Sequence, residues 1–254
     1  MAMTVRDATL DFVLRVGDSC LILGQRLSAL CGHGPSLEED IAITNVALDL
    51  IGQAQNWLAH AGELEGRGRD PDSLAYFRDA HEFRNLVLVE QPNGHFGDTM
   101  ARQFYFDVWH YLLLAQLIES SDETVAGIAA KSIKEVRYHV ERSCDWVVRL
   151  GDGTPESHER MQAALERQWA HVGELFEAAP GDTALVDADI APALSTLREP
   201  WSRHVGEVMA EATLTVPDKP PSRAGVRAGH HSEHLSYLLA EMQGLRRAHP
   251  NAEW

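Results

Sequence analysis

A chain of 254 residues with 22 basic against 38 acidic side chains carries a formal net charge of −16. Such a surface repels phosphate backbones and anionic lipid, which argues against nucleic-acid and membrane partners. The apolar fraction of 44% is that of a globular protein with a core to bury, and no uncharged stretch reaches the roughly 18 residues that a membrane span requires.

Ala, Leu, Glu, Arg and Gln dominate, while Val, Ile and Thr do not gather into short alternating runs. This composition predicts an all-α protein. A first helix is expected from about Val5 to Leu30, with Phe12, Val16, Leu23 and Leu27 on its stripe, ended by CGHGP. The next runs from Leu37 to Gly62, with Ser36 as cap and Glu39 completing a capping box. Leu37, Ile41, Leu48, Ile51 and Leu58 make one face, and Ile43, Val46, Leu50, Ala54 and Trp57 cover the neighbouring one. So wide an apolar surface predicts a helix that cannot sit on the exterior but is wrapped by others, roughly 39 Å long and the second arm of an αα-hairpin. Asp49, Gln53 and Asn56 are polar within it.

EGRGRDPDS is loop, Ser73 to Glu90 reads as one or two short helices, and QPNGHFGDT is loop again, delivering Asp98 or Thr99 as a cap. A third long helix spans about Met100 to Glu119. A fourth, capped by Ser121 or Asp122, reaches about Leu150. Thr154 and Pro155 open a fifth, running to about Ala178. A softer region leads to a helix from Pro200 to Leu214. VPDKPPSRAGVRAG follows as an irregular arm that touches something, and HHSEHLSYLLAEMQGLRRAHP closes the chain as a helix. The whole reads as a single domain, its core bundle at about 5–150 and its additional helices and arm at about 155–254.

Each of the four long helices carries a carboxylate among apolar neighbours: Asp18, Asp49, Asp107 and Glu135. A di-metal carboxylate site needs Glu on two helices and Glu-x-x-His on the other two, because positions i and i+3 share a face. Here Asp49 is followed at i+3 by Gly52, which has no ligating atom, and Glu135 by Tyr138. His110 lies three beyond Asp107, and His139 sits one step too far round from Glu135. The plainer reading is carboxylates held by donors across the bundle, with Arg26, Arg102, Arg137, Tyr105 and Tyr138 available. His230, His231, Glu233 and His234 do not form the His-Glu-x-x-His of a zincin, and they read as packing and capping the last helix rather than holding a metal. Arg67 with Arg69, and Lys219 with Arg223 and Arg227, are weak basic patches that read as solvated loop. Cys20, Cys31 and Cys144 have no CxxC spacing, so reduced thiols are expected. The N-terminus lacks a signal pattern, and a soluble, cytoplasmic protein follows.

GQRLSALCGHGPSLEEDIAITNVALDLIGQAQNWL, FYFDVWHYLLLAQL, KEVRYHVERSCDWVVRLGDGT and GHHSEHLSYLLAEMQGLRRAHPNAEW resemble the non-catalytic ferritin-like C components of the ring 1,2-phenylacetyl-CoA epoxidases, over essentially the whole chain. The resemblance implies a ferritin-like long-helix bundle that supports a di-iron catalytic subunit as a heterodimer in phenylacetate catabolism. It also implies a further small subunit, and a reductase whose flavin and iron-sulfur cluster bring electrons from NADPH. No cofactor is expected in this chain itself. The ligand-bearing places of the related catalytic fold match Asp18, Asp49, Gly52, Asp107, Glu135 and Tyr138 here, which are then vestigial. Trp57, Trp109, Trp146, Trp201 and Trp254 are candidates from which one or two partner anchors would come, and residues 216–229 could reach the partner. Two other functions are left open by the sequence. One is a stand-alone di-metal oxidase using Asp18, Asp49, Asp107, Glu135, His110 and His139; the other is an acyl-CoA-binding bundle.

Overall fold

The computed structural model describes residues 3–218 and 230–252. Among the described residues there are ten α-helices, three 3-10 turns and no strand, as the composition predicted. No helix among them is long and apolar enough to cross a membrane. The chain divides into two compact units, Met1–Pro92 with Gly225–Trp254, and Asn93–Ala224.

The first unit is built on a hairpin. Helix α1 (Val5–Ser28) starts where the Thr4 hydroxyl accepts the Asp7 N–H at 3.1 Å. Helix α2 (Leu37–Glu65) starts where Ser36 accepts the Glu39 N–H at 3.4 Å, and it ends on Gly66, whose φ of 71° is open to glycine. The two helices approach closely because α1 offers glycines to α2. A Cβ at Gly17 would stand 2.9 Å from the Trp57 Cβ, and one at Gly24 would stand 3.0 Å from Ile51.

Beyond the hairpin, Asp70 caps the short α3 (Pro71–Tyr76), a 3-10 turn covers Ala80–Glu82, and α4 spans Val87–Glu90. The C-terminal helix, named α10 below, returns onto this excursion as Glu233–Ala248. The Gln243 amide donates to the carbonyls of Ala75 (2.9 Å) and Arg78 (3.0 Å). Arg247 donates to those of Tyr76 (3.0 Å) and Arg78 (2.8 Å). Carbonyls left over at the end of α3 are thus satisfied from far along the chain.

One expectation for this unit fails. Ile43, Val46, Leu50, Ala54 and Trp57 are buried as read, but Leu37, Ile41 and Leu48 are 72%, 53% and 61% exposed. Helix α2 is therefore wrapped on one side only. Periodicity reports that a face is apolar, not that the same chain covers it.

In the second unit, α5 (Phe96–Leu117) begins earlier than predicted. His95, not Asp98 or Thr99, is its cap: the imidazole Nδ1 accepts the Asp98 N–H at 3.3 Å and the Asp98 carboxylate accepts the His95 N–H at 3.0 Å. Asp122 caps α6 (Glu123–Gly151) and Thr154 caps α7 (Pro155–Trp169), as expected. Helix α7 stops short of the predicted Ala178, and Val172–Phe176 forms a 3-10 turn instead. The turn leaves the Leu175 carbonyl free to accept the Trp109 indole N–H at 2.9 Å. Helix α8 (Asp182–Asp187), a 3-10 turn at Leu194–Leu197 and α9 (Arg198–Glu211) follow.

The core of this unit is aromatic. Trp201 donates its N–H to the Tyr105 carbonyl at 3.0 Å, and its ring meets those of Tyr105, Trp169 and Phe176 at 5.4–5.9 Å. Trp57, Trp109 and Trp201 are buried, which removes them as partner anchors. Trp146 packs edge-on against Phe96 at 4.9 Å. Trp254 and most of the arm at 216–229 lie outside the described residues.

Gly17→Ala forces the hairpin apart and is expected to lower unfolding stability by about 1–3 kcal/mol. Gly127→Ala, on an exposed turn of α6 with no heavy atom within 4 Å of the added Cβ, should raise it by about 0.5–1 kcal/mol. Urea midpoints of the two variants, moving in opposite directions, check the pair.

Candidate functional site

Asp18 has no exposed surface, and its charge is matched by Arg78, itself only 2% exposed. Arg78 reaches both carboxylate oxygens, with Nη1 at 3.0 Å from Oδ2, and the Arg84 backbone N–H donates to Oδ2 at 2.9 Å. The guanidinium also donates to the Leu74 and Glu82 carbonyls and lies 4.3 Å over the Phe83 ring. A planar, five-donor group suits this multiple engagement. None of the donors named from the sequence is the partner of Asp18. Arg26 binds the Glu90 carbonyl, Arg102 donates to the Asn93 side chain, Tyr105 donates to the Leu165 carbonyl, and Arg137 and Tyr138 are exposed.

On α2, Asp49 is half-buried and Gly52 is exposed, with no heavy atom within 4 Å of where a Cβ would stand. Gln53 is turned inward, its Oε1 4.0 Å from the Cys20 Sγ.

In the second unit, Asp107 and His110 of α5 and His139 of α6 are all buried. Gln103 donates to Asp107 Oδ1 at 3.3 Å. Burial pushes the Asp107 carboxyl up to about 6, against the opposing pull of His139, a Ser143 hydrogen bond and Arg142. Burial, with His139 nearby, pushes His110 down to about 3, so its imidazole is neutral at pH 7. Cys144 on the same helix has its Sγ 3.5 Å from His204 Nε2. Burial and the carboxylates of Asp107, Asp145 and Glu211 push the thiol up to about 12, the reverse of an activated nucleophile. Glu135 is half-buried and Tyr138 is 49% exposed. This unit thus brings Asp107, His110 and His139 into one electrostatic cluster, while Tyr138 stands at the surface. Among the described residues no three His, Cys, Asp or Glu side chains gather in a way that could hold a metal ion.

One polar centre joins His231, read as packing the start of the last helix, to a carboxylate the sequence reading did not single out. Glu90 is fully buried at the end of α4. Its Oε2 accepts the Ser232 N–H (2.7 Å) and hydroxyl (2.6 Å), and its Oε1 accepts from Asn85 (2.8 Å) and faces His231 Nδ1 at 2.5 Å. His231 Nε2 lies 3.0 Å from the Phe83 carbonyl, which can only accept, so that nitrogen carries a proton. Burial alone would lower the His231 pKa. The hydrogen bond and charge of Glu90, with the Phe83 carbonyl, raise it overall. His231 therefore ties the start of α10 to α4. The local pattern around Glu90 gave no signal, because His231 and Ser232 lie 141 and 142 residues away in sequence. Arg69 of the weak basic patch donates to Glu65 at 2.7 Å, whereas Lys219, Arg223 and Arg227 lie outside the described residues.

The protein family described as Phenylacetic acid catabolic protein matches the chain over residues 1–254. The chain is 49% identical to the curated C component of the 1,2-phenylacetyl-CoA epoxidase of Escherichia coli (strain K12), over 243 residues that make up 96% of this chain and 98% of that relative. The strand-free helical architecture agrees with the ferritin-like class implied by the resemblance.

Asp18→Asn leaves Arg78 buried without its counter-charge and is expected to cost about 3–5 kcal/mol in denaturant unfolding, most of it recovered in an Asp18→Leu/Arg78→Met double variant. A second expectation concerns pH. Because the folded Asp107 binds its proton more tightly than the unfolded one, its contribution is complete below about pH 4 and is lost as pH rises through about 6. Asp107→Asn should therefore match the parent near pH 4 and exceed it by about 1–3 kcal/mol at pH 8. His110, whose lowered pKa gives the opposite slope between about pH 3 and 6.5, is no longer opposed by Asp107, so the variant gains stability relative to the parent as pH rises there. Urea midpoints across that range test this, and parallel curves for parent and variant would refute it.

Proposed function

The chain belongs to the phenylacetic acid catabolic protein family, and on that premise we propose that it is a metal-free structural subunit of a multicomponent oxygenase. Its role is to support a di-iron catalytic subunit as a heterodimer in the cytoplasm. The chemistry, epoxidation of the ring of phenylacetyl-CoA with dioxygen and NADPH, belongs to that partner. A reductase with flavin and an iron-sulfur cluster supplies it with electrons, and the system includes a further small subunit.

The observation that carries this reading is the fate of the candidate ligands. Asp18 is fully engaged by Arg78 and Arg84, Gly52 brings no ligating atom and faces outward, and the Tyr138 side chain stands at the surface. These positions, with Asp49, Asp107 and Glu135, are the vestiges of a ligand set and not a working one. A stand-alone oxidase would need further ligands beside Asp107, His110 and His139, and no such set gathers among the described residues. An acyl-CoA-binding bundle working alone would have to attract an anion to a chain of net charge −16.

Metal analysis of the isolated chain and of the complex co-expressed with the neighbouring oxygenase subunits tests the proposal. The isolated chain should be iron-free and inactive, and the complex should carry about two irons per catalytic partner. Stoichiometric iron and oxygen-dependent turnover in the isolated chain would overturn it.

A further inference from the structure

We infer that the outward face of α2 is the seat of a helix from another subunit of the oxygenase, an inference that rests on the supporting role proposed above. Between Glu38 and Glu63 the exposed positions of α2 are Ile41, Asn45, Leu48, Gly52, Gln55 and Ala59. They recur at steps of four and three, the seam period of two helices packed side by side. Along these roughly 27 Å no exposed side chain is charged. Ile41 and Leu48 are more than half exposed, and Leu37, at 72%, extends the apolar stripe toward the start of the helix. Gly52 and Ala59 keep the middle and far end of the seam low, so that a second backbone can come close.

Helix α6 is the internal comparison. It has the same length, 29 residues, yet among its exposed positions, beside Gly127, Ala130 and Tyr138, stand Lys131, Lys134, Arg137, Glu141, Asp145 and Arg149. That is how this chain builds a helix face meant for water. The α2 face is built differently, with aliphatic, small and uncharged polar residues in contact order.

Charge decides between the two kinds of occupant. The seam is bounded by exposed acids at both ends, Glu38 before it and Glu63 after it. If a second copy paired through this face, parallel packing would set like acids together and antiparallel packing would set Glu38 against Glu63. Each copy would also bring a net charge of −16. Self-association is disfavoured in either orientation. The complementary occupant is a helix of a different subunit, with an aliphatic and small-residue seam in the middle and basic residues toward its ends.

The test uses the full chain, tagged and co-expressed with the other oxygenase subunits, with capture and dissociation constants measured for the parent, Leu48→Glu and Leu245→Glu. Leu245 is equally exposed, at 58%, but lies on α10. All three should be monomeric alone by light scattering and unfold at the same urea midpoint, since neither substitution touches a packed position. Leu48→Glu should weaken capture roughly 30-fold or more, as a central seam residue does, and Leu245→Glu should leave it unchanged. Equal capture by the parent and Leu48→Glu overturns the seam while the supporting role stands. A parent chain that captures no oxygenase subunit overturns the supporting role itself. A parent homodimer that Leu48→Glu dissociates overturns the choice of occupant.

Discussion

The first unit depends on a single electrostatic obligation, the charge of Asp18 placed where no water reaches it. A buried carboxylate is tolerated only with its counter-charge and hydrogen bonds in place, and Arg78 supplies both from the excursion after α2. Arg78 lies just past the end of α3, where the carbonyls of Ala75, Tyr76 and Arg78 have no helical partners. Gln243 and Arg247 then satisfy them, which fixes the far end of α10. Glu90 fixes the near end through His231 and Ser232. One buried charge on α1 is thus linked to the position of a helix some 215–230 residues later.

The long helices were legible because their signals are local. Ser36, Asp122 and Thr154 act within one turn of themselves, and the apolar period of α1, α5 and α6 is read from neighbours three and four residues away. The reading failed wherever the deciding partner was remote. Arg78 is 60 residues from Asp18 and His231 is 141 from Glu90, so the donor that holds Asp18 was not among those named. Local competition misled as well. Asp98 looked like a cap, but it reaches back to the His95 N–H and so serves as the third residue of the helix rather than its cap.

The candidate site was legible in a different sense. Gly52 and Tyr138 could be recognised from spacing as positions unfit for a di-metal centre, since the i,i+3 relation survives any tertiary arrangement. What spacing could not convey is environment. Asp107 and His110 lie in a dry interior that favours their neutral forms, while Gly52 and Tyr138 lie at the surface. The apolar face of α2 shows the same limit from the other side: the pattern was read correctly and its burial was not, because what covers a face is not written in that face.

The first unit is discontinuous, with residues 93–224 inserted between its two parts. During synthesis, Glu90 leaves the ribosome 141 residues ahead of His231, a lag of about 7–28 s at ordinary elongation rates. Throughout that interval the α1–α2 hairpin exists without the helix that closes it, and a carboxylate destined for burial must stay hydrated. The inserted unit has its whole sequence available first. The order of completion is therefore inside out: the middle of the chain can settle while the beginning still waits for the end. A ribosome stalled short of Ser232 holds a nascent chain whose earliest helices are its least finished part.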